Sequence, residues 1–329
     1  PRRPKRLAKL MILRTPQICV YSFKPLSTGV RFIIKPFKFL PAPLLLISAL
    51  TNLALTASAA ELIAPGAEVQ QLSSGFNFTE GPAADQTGNV YFTDIPNNRI
   101  HIWTTDGELK LFRENTRGAN GLFFDADWQV SAAEGGGGRI SRMDADGNPT
   151  VVVDQFNGKP FNGPNDLWID ANGGIYFTDP RYGDESNIPQ AGYHVYYVPA
   201  GSNQAQVIIT DLVKPNGIIG TRDGSMLYVA DHLGNQTFAY TISGPGQVSA
   251  KRLFAPQGSD GLALDEQGNL YLTGGSNISA YSPAGELLET IAVPLAPANM
   301  TFGGPNRDGL CITARTGLFS LQMAVRGMY

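Results

Sequence analysis

Six times in this chain a short polar step precedes an apolar, strand-like run: Glu80-Gly81-Pro82, Asn120-Gly121-Leu122, Asn165-Asp166-Leu167, Asn216-Gly217-Ile218, Asp260-Gly261-Leu262 and Asn299-Met300-Thr301. Successive steps lie 40, 45, 51, 44 and 39 residues apart, the period of a four-stranded propeller blade. A second register follows 14 or 15 positions later in every repeat, at Asp94, Glu134, Asp179, Asp231, Gly274 and Ala314. Six units with two aligned positions predict a ring with one functional face.

Within a unit the pattern is strand, tight turn, strand. Ala83 leads through Asp85-Gln86-Thr87-Gly88-Asn89 to Val90-Tyr91-Phe92-Thr93, and the same hairpin recurs at 167–178, 218–230 and 262–273. Such turn residues supply the positive φ that a tight hairpin needs. A third strand is expected at 99–103, 139–143, 193–197, 236–241, 278–281 and 317–321, then a turn and a fourth strand. Gly135 to Gly138 reads as a loop between strands. The fold class is therefore all-β: a six-bladed β-propeller, four antiparallel strands per blade, in one domain spanning 61–329. The last repeat lacks a fourth strand of its own, so the segment Glu68 to Leu72 is expected to close the ring and cover two open edges.

The first sixty residues read differently. They hold ten of the 25 Lys and Arg, no acidic residue, and an apolar run from Phe39 to Leu55 that leads into Thr56-Ala57-Ser58-Ala59-Ala60. A basic start, an apolar middle and small residues at the end are the marks of a secretory signal. The run is short of the roughly 20 residues of a membrane span and contains Pro41, Pro43 and Asn52, so residues 1–60 are expected to be removed near Ala59 or Ala60. The expected location is secreted or periplasmic, with no stable membrane association after cleavage. What remains carries 15 basic against 28 acidic residues, a formal charge of −13, which makes nucleic acid a poor partner. Cys19 leaves with the leader and Cys311 remains as a small core residue, so no intrachain disulfide is expected.

The first register starts the innermost strand of each blade, at the central channel, and the hairpin returns the second register to the same face. Glu80, Asn120, Asn165, Asn216, Asp260 and Asn299 should ring one mouth, with Asp94, Glu134, Asp179 and Asp231 outside them. Asn-Gly and Asp-Gly are also ordinary turn dipeptides. Each repeat has separate turn dipeptides downstream, however, and Glu80 is not a turn former; function is favoured for Glu80, Asn216 and Asp260, and turn chemistry for Asn120 and Asn299. Carboxylates and carboxamides converging on a channel repel and desolvate one another unless a cation sits among them. All-oxygen ligands favour a hard divalent ion, Ca²⁺ first, then Mg²⁺ or Mn²⁺, with Zn²⁺ as a further option. His101, His194 and His232 have no zinc-motif spacing, and His232 alone falls at the rim. No Gly-x-Ser-x-Gly elbow or Walker loop is present in the propeller region, which leaves metal-assisted hydrolysis of an ester-like ring as the chemistry that fits.

Glu80-Gly81-Pro82, the run Asn162-Gly163-Pro164-Asn165-Asp166-Leu167, the stretch from Tyr176 to Gly183, Pro215-Asn216-Gly217 and Ser259-Asp260-Gly261 together resemble the gluconolactonase branch of the regucalcin (senescence marker protein) family, over about Glu61 to the C-terminus. The resemblance implies a six-bladed propeller with a divalent cation on the channel axis, held by Glu80, Asn216 and Asp260. It further implies that Asn165 contacts substrate or a cation-bound water, that Asp260 donates and accepts the proton, and that Asp179 lies in the substrate pocket. Asn120 at most orients water or substrate. The family often has a cationic substrate-binding residue shortly before Asn165; here only Lys159 is near, and Arg181 is the expected substitute. The third repeat is longest, and its extra residues fall at Arg181 to Gly192, where Arg181, Tyr182 and Asp184 are expected to meet substrate. The expected activity is hydrolysis of a small sugar-acid lactone. The competing readings are a non-catalytic propeller that binds a ligand or protein, and an enzyme of the strictosidine-synthase-like group.

Overall fold

The computed structural model describes residues 61–329; the expected leader, its apolar run and Cys19 lie outside them. The strands form six four-stranded antiparallel sheets, each pairing in sequence order from the channel outward. Blade 1 comprises Thr79–Ala84, Val90–Asp94, Arg99–Trp103 and Leu109–Glu114, and blade 2 comprises Ala119–Phe124, Val130–Glu134, Arg139–Met143 and Pro149–Val153. Blade 3 is Leu167–Ile169, Ile175–Asp179, His194–Val198 and Gln206–Ile209; blade 4 is Pro215–Gly220, Met226–Asp231, Gln236–Gly244 and Gln247–Ala255. Blade 5 is Leu262–Leu264, Leu270–Gly274, Asn277–Tyr281 and Leu287–Ala292. Blade 6 takes Pro297–Gly303, Gly309–Ala314 and Gly317–Gln322 from the end of the chain, and Gln70–Ser74 pairs antiparallel with Gly317–Gln322 as its fourth strand. Ring closure thus joins residues about 250 apart in sequence, two residues later than the predicted segment.

Burial explains why the second strands are the most apolar. Each lies between two strands of its own sheet and is covered on both faces by neighbouring blades, so Val90, Phe92, Ile175, Phe177, Leu227, Val229, Leu270 and Leu272 are all buried. Outer strands such as Leu109–Glu114 and Leu287–Ala292 are mostly exposed. The hairpins between first and second strands are set by aspartates: one oxygen of Asp85, Asp125, Asp170 and Asp265 accepts the backbone N–H groups two and four residues on. These are Asx turns, which let a side chain do the work of a strand-ending hydrogen bond. Gly135–Gly137 is a single 3-10 turn, not an open loop. Cys311 is buried against Ala84 and Val90, and burial pushes its thiol up to about 12. No helix among the described residues is long and apolar enough to cross a membrane.

Candidate active site

The polar steps of the repeat are not turns. In blades 1, 2 and 4 they sit inside the innermost strand at a β-bulge, where the register slips between Glu80 and Ala83, Ala119 and Leu122, and Pro215 and Ile218. A bulge leaves residues unpaired and re-aims their side chains. Where a glycine follows the polar residue, space requires it. A Cβ on Gly81 would lie 1.9 Å from the Asn120 carbonyl oxygen, on Gly217 2.6 Å from the Asp260 carbonyl oxygen, and on Gly261 2.1 Å from Asn299 Oδ1. Blades 2, 3, 5 and 6 therefore seat their first-register residue against the glycine of the blade before. Threonines just before the second register tie the same joints: Thr93 Oγ1 donates to the Asn120 carbonyl at 3.1 Å and Thr178 Oγ1 to the Asn216 carbonyl at 2.7 Å.

This arrangement brings Glu80, Asp166, Asn216, Asp260 and Asn299 together at one mouth of the channel. Asn216 Nδ2 donates to Asp260 Oδ1 at 2.5 Å and to the Tyr182 hydroxyl at 2.8 Å. Glu80 Oε2 accepts the Gly81 N–H at 2.8 Å, and Asp166 Oδ1 accepts the Leu167 N–H at 2.9 Å. Glu80 and Asp166 are buried, whereas Asp260 is partly open to solvent. Burial, then the charges of Asp260 and Asp166, hold the Glu80 carboxyl well above the usual range, against the Gly81 N–H and the Asn299 side chain. Burial likewise pushes Asp166 up to about 7. Asp260 is raised by burial but drawn back by His232, by the Asn216 amide and by Arg315.

No lysine, arginine or histidine lies within 4.0 Å of these three carboxylates among the described residues. Buried carboxylates without a partner either bind protons or bind a cation. Among the described residues no three His, Cys, Asp or Glu side chains converge tightly enough to hold a metal ion by themselves, so a cation here must take carboxamide oxygens as well. Carboxylates with carboxamides are the donor set of a hard divalent ion, and the residues present fit one.

Asp166 was not singled out by the repeat. The signal was available, because it is the one carboxylate standing where four of the six repeats carry glycine. Asn299, where turn chemistry was the expectation, also belongs to the cluster. Asn120 and Asn165 hold the equivalent places in blades 2 and 3, and among the described residues neither side chain makes a hydrogen bond within the protein; the Asn165 backbone is fixed by Thr178 and Gly121.

The second register does a different job. Asp179 is fully buried, and its two oxygens accept the N–H groups of Asn162 and Gly163 at 2.8 and 2.7 Å. Asp94 accepts from Asn77 and Phe78, and Asp231 from Val213, Lys214 and Gly234. Each carboxylate clamps the segment that leads into the first register of its own blade. Glu134 instead bonds Arg113, Arg139 and Ser141. Arg181 turns back on its loop, donating to the Asn162 and Asp184 carbonyls at 2.8 and 3.0 Å. The long loop of blade 3 does reach the site, through Tyr182. Its ring lies under Lys214 Nζ at 4.5 Å and near His232, while Lys214 and Tyr193 both hold Glu185 of the same loop.

A polar pocket of about 530 Å³ opens beside Asp260 over blades 5 and 6, lined also by Phe78, His232, Gln257 and Arg315. A second cavity, about 380 Å³, occupies the channel and is lined by Asp166 and Asn299 of the cluster as well as by apolar residues such as Leu122, Ile218 and Phe302. Tyr329 helps to line it, its hydroxyl bridging Trp168 Nε1 and the Gly220 carbonyl. Convergent polar groups mark the first as the candidate site.

The family model described as SMP-30/Gluconolactonase/LRE-like region matches residues 78–316. The chain is 29% identical over 256 residues to a gluconolactonase of Zymomonas mobilis, covering 68% of this chain and 72% of that protein. A solved gluconolactonase from Xanthomonas campestris superposes with a TM-score of 0.75 at 28% identity, over 79% of this chain and 91% of that one. The calcium-binding protein regucalcin of Agrobacterium tumefaciens, at 20% identity, shares the fold with a TM-score of 0.67 over 82% and 95% of the two chains.

Proposed function

The chain belongs to the SMP-30/gluconolactonase/LRE-like family, and from that premise we propose that it hydrolyses a sugar-acid lactone with a divalent cation, Ca²⁺ by preference, held by Glu80, Asn216 and Asp260. The observation that carries the reading is the set of carboxylates gathered at the channel mouth without a cationic side chain, beside a polar pocket open to solvent. Held by Glu80, Asn216 and Asp260, a divalent cation would supply Lewis acidity for the lactone carbonyl and for the charge that develops on its oxygen.

Asp260 is the residue placed to move the proton. It is the carboxylate that faces the pocket, and Asn216 occupies only its Oδ1. Oδ2 can take a proton from the attacking water and return it to the ring oxygen as the ester bond opens, so that one water is added and an acid and an alcohol result. Glu80 and Asp166 are buried and do not line the pocket, which suits them to hold charge and not to shuttle protons. Tyr182, bonded to Asn216, covers the blade 3 side, and the substrate approaches over blades 5 and 6.

The test is lactone hydrolysis followed by base uptake at constant pH, before and after chelation and after restoring the cation. Rapid turnover lost on chelation and regained with Ca²⁺ supports the reading; turnover indifferent to chelation, or absent for every sugar-acid lactone, contradicts it. The same reading includes export to the periplasm or medium, resting on the basic, apolar and small-residue pattern of residues 1–60, which lie outside the described residues.

A further inference from the structure

Blades 1 to 4 carry a carboxylate at the second register, whereas blades 5 and 6 carry Gly274 and Ala314. The pocket beside Asp260 opens over those two blades, where no second-register carboxylate fills the space. At blade 5 Gln257 reaches into it instead, since a Cβ on Gly274 would lie 2.8 Å from Gln257 Nε2.

The polar groups around this pocket are arranged as donors. Gln257 Oε1 accepts from the Tyr281 hydroxyl at 3.0 Å, and Asn235 Oδ1 from the Gly258 N–H at 3.3 Å. With both amide oxygens engaged, the two NH₂ groups have no acceptor among the described residues. Arg315 adds a guanidinium with no carboxylate within 4.0 Å among the described residues, stacked over the Phe78 ring at 5.5 Å. Its place is fixed from both sides: the Arg315 carbonyl accepts from Thr79 N and Oγ1, and its φ is 51° at the tip of the blade 6 hairpin. Asp260 is the single carboxylate among the lining residues.

We infer that this pocket is a subsite for an anionic substituent of the substrate, a carboxylate or a phosphate, bound by Arg315 with Gln257 and Asn235 as further donors. A guanidinium fork and amide N–H groups match such an anion in geometry and charge. The space suffices. At less than a water molecule's share of about 30 Å³ per non-hydrogen atom, a sugar-acid ring of about a dozen such atoms needs under ~360 Å³, which leaves part of the roughly 530 Å³ pocket for the substituent. The inference deepens the lactonase reading and rests on it for the ring, but not for the anion.

The experiment measures both separately on the whole protein with its cation. Calorimetry compares D-glucarate, a dianion, with D-gluconate, a monoanion, for the wild type, Arg315→Gln and Gln257→Leu, at low and high salt. Hydrolysis compares gluconolactone with the lactone of glucaric acid and with a phosphorylated gluconolactone, which distinguishes carboxylate from phosphate. The dianion should bind roughly 10- to 100-fold tighter than the monoanion, as one added charge-assisted contact implies. That margin should shrink with salt and largely disappear in Arg315→Gln, and the ratio of anionic to neutral lactone turnover should fall with it. Equal affinities, or a margin unchanged in both variants, would overturn the inference. If no lactone is hydrolysed while the margin and its dependence on Arg315 persist, the lactonase reading fails and the anion subsite stands.

Discussion

Replacing Asp231 by alanine tests whether the second register builds the ring or serves the substrate. Its carboxylate is 3% exposed and accepts three backbone N–H groups, from Val213 at 2.9 Å, Lys214 at 2.8 Å and Gly234 at 3.1 Å. The Lys214 N–H is buried and loses its acceptor outright, at a cost of about 1–3 kcal/mol; the other two are partly exposed, can turn to water and lose roughly 0.5–1 kcal/mol each. Removing a buried charge offsets part of this, leaving a net loss of about 2–4 kcal/mol. For a domain of this size each kcal/mol moves the melting temperature by roughly 2–4 °C, so the variant should melt about 4–16 °C lower. Asp231→Asn keeps one acceptor oxygen and should lose about half as much. Thermal melts with saturating cation give the shift, and initial lactone rates on the folded fraction give the activity. Rates should stay within about threefold, since no step of the chemistry uses the carboxylate. An unchanged melting temperature combined with lost turnover would refute the argument and return the second register to the substrate.

Burial pushes Asp179 up to about 6 from 3.8, and because the folded value is the higher, the stability it contributes is full below pH 3.8 and lost as pH rises through about 6. Asp179→Asn cannot ionise, so its urea stability relative to wild type should improve by about 3 kcal/mol between pH 3.5 and pH 7; no change in that difference would contradict the assignment. Gly217→Ala places a Cβ 2.6 Å from the Asp260 carbonyl oxygen and 3.0 Å from Leu262 Cγ; the blades must part, costing roughly 1–3 kcal/mol or more, and calorimetry should show weakened cation affinity, unlike Gly244→Ala, whose Cβ would meet nothing closer than 3.5 Å. Expression of the chain with its leader should yield a mature N-terminus near Ala59 or Ala60 by mass spectrometry, and exported protein that retains residues 1–58 would contradict the proposed cleavage.

The blade period was legible because every blade must offer the same two faces to its neighbours, which forces strands, turns and register into phase. Even the closing strand could be inferred, from a last repeat one strand short. What the repeat could not convey is the direction in which a side chain points. Asp179 and Glu80 are both acidic residues in phase with a repeat, yet one faces a backbone loop and the other the channel. Nor does Asn-Gly reveal whether glycine is needed for φ or for space; Gly121, Gly217 and Gly261 lack positive φ and are glycines because the next blade touches them. Asp166 escaped notice because it stands one place out of register. Arg315 did so because it stands one place after Ala314, outside both registers, although its own side chain borders the pocket.

The central claim is a divalent-cation site made by Glu80, Asn216 and Asp260, and calorimetric titration of Ca²⁺ into chelator-stripped protein tests it most directly. Wild type should bind a single cation per chain, Asp231→Asn should retain it, and Glu80→Gln, Asn216→Ala and Asp260→Asn should each weaken it by at least about tenfold, as the loss of one ligand at a buried oxygen site implies. Wild-type protein that binds neither Ca²⁺, Mg²⁺ nor Mn²⁺, or ligand variants that bind as well as wild type, would contradict the claim.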